Sequence, residues 1–148
     1  MPGKHPSRKA RRRKKILIVV DHPLLRRGLR SLIESEPDLA VCAEAGTWRE
    51  AIAALAASRP DLVIADLTFK DANGLKLIKA IKSRRPRLPV LVLSMHDAPS
   101  YAERAFQAGA RGFVTKQEMS ETVLIAIRRV LAGEKYVSPK IEDKFGHK

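Results

Sequence analysis

From Ile16 onward, short apolar runs alternate with longer segments in which apolar residues recur at helical spacing. The runs are Ile16-Leu17-Ile18-Val19-Val20, Leu39 to Ala45, Leu62-Val63-Ile64-Ala65, Val90-Leu91-Val92-Leu93 and the shorter Gly112-Phe113-Val114-Thr115. Between and after them, Leu25, Leu29, Leu32 and Ile33 share one helical face, as do Trp48, Ile52 and Leu55, then Leu75, Ile78 and Ile81. Tyr101, Ala105 and Phe106 form a fourth stripe, and Val123, Leu124, Ile127, Val130 and Leu131 a fifth. Strands alternating with helices in this way are the pattern of βα units around a parallel sheet, and ten elements are predicted.

The punctuation agrees with that division. Pro37-Asp38, Arg59-Pro60-Asp61, Arg84-Arg85-Pro86 and Pro89 break the chain ahead of strands. Thr47 with Glu50 three residues on makes a capping box, Pro99 suits a first helical turn, and Ser120 is the expected cap of the last helix. Gly109 and Gly133 are expected helix stops, and Asn73-Gly74 has the residue types of a turn with positive φ.

A chain of 148 residues buries roughly 70% of its unfolded surface when it folds as one domain, so its core needs no disulfide or metal. Cys42, the single cysteine, reads as a small packing residue in Leu39 to Ala43. No apolar stretch approaches the roughly 18 residues of a membrane span, and no apolar segment follows the charged N-terminus, so a soluble cytoplasmic protein with no membrane partner is expected. The formal net charge is +13; Lys4, Arg8, Lys9, Arg11, Arg12, Arg13, Lys14 and Lys15 carry 8 of it, leaving +5 for the rest. A like-charged block without apolar residues is expected to be a disordered tail, residues 1–15, that binds polyanions at most weakly. A folded domain is expected over residues 16–133, with a C-terminal tail at 134–148.

Chemistry enters at the strand ends. Four apolar runs lead into Asp21, Asp66, Ser94 and Lys116, which a parallel sheet gathers at its carboxyl edge, where such sheets bind ligands. An aspartate accepts a phosphoryl group if the crowded negative charge is neutralised. Mg²⁺, held by one or two carboxylates with waters and phosphate oxygens, is the simplest means, and Asp21 and Asp66 are candidate ligands. Lys116 supplies a fixed cation, and Ser94 a hydroxyl donor. Phosphate-loop, dinucleotide-binding and nucleophile-elbow motifs are all missing, so the chain does not read as an enzyme of those kinds. His22 is expected to be a loop or cap residue.

Taken together, Asp21-His22-Pro23-Leu24, Arg59 to Leu67, Asn73-Gly74-Leu75, Leu93-Ser94-Met95-His96, Ala108 to Lys116 and Gly133 to Pro139 resemble the receiver domain of two-component response regulators of the NarL/FixJ (LuxR-like) type. The resemblance implies a doubly wound (βα)5 flavodoxin-like fold, with a five-stranded parallel sheet in the order 2-1-3-4-5. It also implies that Asp66 accepts phosphate from a sensor histidine kinase and that Asp21, Asp66 and the main-chain carbonyl of Thr68 hold Mg²⁺. Ser94 and Lys116 would contact the phosphoryl group, with Ser94 and Phe113 acting as switch residues and helix 4, strand 5 and helix 5 as the signalling surface. Expected partners are the kinase and a downstream protein or a second copy. DNA would be reached only through a missing or separate output domain, since the helix-turn-helix domain that such regulators carry after the linker is not found in these residues. Two residues depart from the family pattern. Val20 stands where an acid is usual, which weakens the expected metal site, and Lys70 stands where proline is usual. The alternative that Val20 raises is a pseudo-receiver, an interaction module that works without phosphorylation.

Overall fold

The computed structural model describes residues 13–67, 74–95 and 98–145. Its elements alternate as the hydrophobic pattern requires: β1 (Lys14–Val19), α1 (Pro23–Glu34), β2 (Leu39–Ala45), α2 (Trp48–Ser58), β3 (Leu62–Asp66), α3 (Gly74–Arg84), β4 (Val90–Ser94), α4 (Pro99–Ala108), β5 (Gly112–Thr115) and α5 (Met119–Leu131). Two further elements follow, β6 (Tyr136–Val137) and α6 (Pro139–Phe145).

The sheet is parallel, in the order β2-β1-β3-β4-β5-β6. The expected five strands are therefore corrected to six. Tyr136 pairs with Gly112 and Val137 with Phe113, too short a pairing to stand out as an apolar run. β1 likewise begins at Lys14, because Lys14 and Lys15 pair with Leu39 and Ala40 in spite of their charges. Residues 1–12 of the expected tail lie outside the described residues.

Alternation along the strands sorts the core into two layers. Ile16, Ile18, Val20, Leu62, Ile64, Leu91, Leu93 and Val114 pack against Leu29 and Ile33 of α1 and against Val123, Ala126, Ile127 and Val130 of α5. Leu17, Val19, Val63, Ala65, Val90, Val92 and Phe113 face α2, α3, α4 and Ile141 of α6. Both faces of the central strands are covered, which is why they read as continuous apolar runs.

The ends of the helices match most of the expected signals. Thr47 accepts from the Glu50 N–H at 3.1 Å, and the Glu50 carboxylate reaches back to the Gly46 N–H at 2.7 Å. His22 caps α1 by accepting from the Leu25 N–H. Gly109 and Gly133 hold positive φ. Two expectations are corrected. Ser120 lies inside α5, whose preceding turn is a 3-10 segment, Lys116–Glu118. Gly74 does not hold positive φ; a Cβ there would lie 2.2 Å from the Leu67 carbonyl oxygen, so close approach of α3 to the end of β3 is what demands glycine. Asn73 lies outside the described residues.

Candidate functional site

The register of the sheet brings the chemistry to one edge. Val19 pairs with Ala65, Asp66 with Leu93, and Ser94 with Thr115, so Asp21, Asp66, Ser94 and Lys116 all follow or end adjacent strands. Asp66 is 2% exposed and Ser94 fully buried, while Asp21 is half-buried. Lys116 Nζ lies 2.8 Å from Asp66 Oδ2. A carboxylate this buried is costly unless it is paired, and the ammonium meets that need. The 3-10 turn after β5 directs Lys116 over the end of β3.

Val20 is fully buried in the apolar layer, with 0% accessible surface. Its main chain is pinned from two sides: the N–H donates to the Ala45 carbonyl at 3.0 Å, and the carbonyl accepts from Arg26 Nη1 at 2.6 Å. Arg26 in turn pairs with Glu44 at 3.3 Å. Alternation puts position 20 on the same face as Asp66, one step past the Val19–Ala65 pair. An apolar side chain thus stands beside the Asp66 carboxylate, where a further oxygen donor would serve a metal.

Asp66 and Asp21 fit a Mg²⁺ ion that takes its remaining ligands from water and phosphate. Among the described residues no group of three or more His, Cys, Asp or Glu side chains is arranged for a metal. Thr68 and Lys70 lie outside the described residues. Phe113 is fully buried among α4 and α6 residues.

One part of the site had no signal beyond the resemblance in Gly133 to Pro139. Ser138, fully buried, accepts the Thr115 N–H through Oγ at 3.3 Å and donates its own N–H to the Phe113 carbonyl at 3.0 Å. The Glu118 carboxylate accepts from Thr115 Oγ1 at 3.1 Å and from the Lys140 N–H at 3.4 Å. The segment after Gly133 is therefore bonded to the residue that immediately precedes Lys116.

Residues 16–128 match the model of the response regulator receiver domain. The chain belongs to that family. This receiver is 37% identical over 130 residues to the transcriptional regulatory protein UhpA of Salmonella typhimurium, covering 87% of this chain and 64% of that protein. It is 37% identical over 119 residues to the DNA-binding transcriptional activator DevR/DosR of Mycobacterium tuberculosis, covering 80% and 55%. The chain thus spans less than two thirds of the length of these relatives. A LuxR-family two-component response regulator from Aurantimonas superposes with a TM-score of 0.87 at 36% identity, over 91% of this chain and 96% of that one. The isolated receiver domain of RcsB from Salmonella enterica superposes with a TM-score of 0.81 at 25% identity, over 88% and 97%. The receiver is accordingly of the LuxR/NarL type within two-component signalling, and it is not a conventional enzyme. No helix among the described residues is long and apolar enough to cross a membrane.

Proposed function

We propose that this receiver accepts a phosphoryl group on Asp66 from the phosphohistidine of a sensor histidine kinase. In that step an Asp66 carboxylate oxygen forms the new O–P bond while the donor's N–P bond breaks, and the imidazole leaves. The observation that carries the reading is the 2.8 Å pair between Lys116 Nζ and the buried Asp66 carboxylate at the sheet's carboxyl edge. An ammonium already placed there needs only a short movement to neutralise the incoming charge. Asp21, Asp66 and the Thr68 carbonyl are the proposed Mg²⁺ ligands; the bound ion supplies further neutralisation of phosphoryl oxygens. Ser94 donates its hydroxyl to one of those oxygens, and a phosphate of about −1.5 to −2 charges draws Ser94 and Lys116 toward it.

The output surface is α4, β5 and α5 together with β6 and α6, because Ser138 and Glu118 tie the last two elements to Thr115. A shift of Lys116 is passed through one peptide to the Ser138 contact, with Phe113 packed against the same segment. Output then follows by contact with a protein partner, a second copy, or a DNA-binding output domain such as the transcriptional regulators among its relatives carry in name. The basic segment 1–15 and the segment after Gly133 are the proposed flanks of a phosphoacceptor unit centred on 16–133.

A second reading is favoured by the buried Val20: a pseudo-receiver in which the edge no longer takes phosphate and the same surface binds partners constitutively. Acetyl phosphate with Mg²⁺ separates the two. Intact mass should rise by one phosphoryl group and fail to do so in Asp66→Asn. Absence of any adduct under conditions that label Val20→Asp establishes the pseudo-receiver.

A further inference from the structure

The pole of the molecule opposite Asp66 carries a concentration of positive charge that the phosphoacceptor reading leaves without a role. Two neighbouring depressions, of about 470 Å³ and 390 Å³, lie where the strands begin and share Asp61, Pro86, Arg87 and Pro89. Lys14, Lys82, Arg84, Arg85, Arg87 and Arg111 line them, against Asp61 as the one carboxylate. That carboxylate is already engaged by the Lys15 N–H at 2.8 Å.

Three of these cations are held by main-chain oxygens that leave their charge uncancelled. Lys82 Nζ donates to the Leu88 carbonyl at 2.8 Å, Arg85 to the Leu55 carbonyl at 2.7 Å, and Arg111 to the Gly133 carbonyl at 2.7 Å. Each keeps further N–H donors while its position is set. Burial, and then the charge of Arg111, hold the Lys82 ammonium below its ordinary value, as expected where cations crowd one another. Pro60, Pro86 and Pro89 stiffen the loops that carry them.

We propose that this amino-terminal edge of the sheet binds the phosphate backbone of double-stranded nucleic acid without reading its sequence. Arginine supplies four of the six cations, and its planar fork suits phosphate oxygens. No aromatic side chain is among the described residues lining either depression, so the base stacking that retains single strands is missing. The exposed large apolar residues, Leu24, Met95 and Ile125, are not among the lining either, so a membrane would have no anchor there. The chain also enters β1 at this edge through Arg13, Lys14 and Lys15, directly after five further cations between Lys4 and Arg12. The strands are five residues long or close to it, so roughly 15–20 Å separates the edge from Asp66, and both sites can be filled at once.

Fluorescence anisotropy of a labelled duplex of arbitrary sequence, titrated with the full chain across a series of NaCl concentrations, tests this. Arg84→Glu/Arg87→Glu is expected to weaken binding about tenfold or more at low salt and to lower the slope of log K against log salt by about 2, close to 0.9 per lost phosphate contact. The charge-matched control at the other pole, Arg27→Glu/Arg49→Glu, should change both far less. A full-length variant with glutamine at positions 4, 8, 9, 11 and 12 should keep binding that the edge substitutions then remove. Arg84→Gln/Arg87→Gln, compared by urea midpoint with the parent, guards against misfolding and should give an intermediate slope. Equal losses in the two charge-reversed proteins, complete loss from the glutamine variant alone, or equally tight binding to a single strand or to phosphatidylglycerol vesicles each overturn the proposal.

Discussion

On the proposed reading, position 20 governs how the carboxyl edge behaves, because one side chain there trades metal affinity against core packing. Val20 is fully buried in the layer that holds Ile18, Leu93 and Met119, and burying a valine contributes about 1.5–3 kcal/mol. Val20→Asp removes that contribution and adds a carboxylate near Asp66 and Asp21, so in chelator the variant should be less stable than the parent by about 2 kcal/mol or more. An ion that binds the folded state alone adds about 2.7 kcal/mol at 100 times its Kd. The variant, with one more oxygen donor, should gain more from Mg²⁺ than the parent does. Urea unfolding with and without Mg²⁺ reads this directly as a narrowing gap between midpoints. A gap that Mg²⁺ leaves unchanged would show that position 20 does not face the metal, and would remove the basis for the pseudo-receiver reading.

At the scale of elements, the question is whether β6 and α6 belong to the folded unit or merely trail from it. Ile141 is fully buried in the layer with Phe113, Ala102 and Ala105, Tyr136 sits under α5 with burial pushing its phenol above the usual value, and Lys135 lies over the Phe106 ring at 5.3 Å. Ile141→Ala should therefore cost about 2–5 kcal/mol by chemical denaturation. Ser138→Ala, which strands the Thr115 N–H, should cost about 1–3 kcal/mol. Losses under about 0.5 kcal/mol, the range of ordinary surface changes, would mean that the segment undocks in solution. This segment also marks the limit of what was legible from residues. β1, β3, β4 and β5 could be read because both their faces are buried along continuous apolar runs, and Asp66 and Lys116 because they close such runs. Tyr136-Val137 offers only two residues to the sheet, and Ser138 works through a contact 23 positions back in the chain, which no local pattern records. Lys14 and Lys15 read as tail by their charge, although strand pairing needs only their main chain. Ser120 has the residue type of a cap, but the 3-10 turn Lys116–Glu118 runs directly into a helix that starts at Met119, one residue before it.

Positive charge is unevenly spread over the described residues: six cations crowd the amino-terminal edge with Asp61 as the one carboxylate lining the same depressions, within a formal charge of +13. Two opposed effects of salt follow. Screening weakens the surface pairs of Arg30 with Glu34 and Glu44 and of Arg128 with Glu36 and Asp38, but exposed pairs contribute only about 0–1 kcal/mol each. Screening also relieves repulsion among the six cations of the amino-terminal edge, which is greatest when the Debye length exceeds their separation. Raising ionic strength from about 0.01 M to about 0.1 M shortens that length from about 30 Å to about 10 Å. The buried Lys116–Asp66 pair is little affected, since few ions approach a carboxylate that is 2% exposed. Relief of repulsion should prevail, and the thermal midpoint should rise with NaCl, a gain of 1 kcal/mol appearing as about 2–4 °C for a domain of this size. Arg84→Glu/Arg87→Glu replaces two repulsions with two attractions, so its midpoint should start higher at low salt and climb less. A parent whose midpoint falls as salt is added would show instead that the Arg30 and Arg128 networks outweigh the crowding at the edge, and the charge there would then be no reservoir of repulsion for a polyanion to relieve.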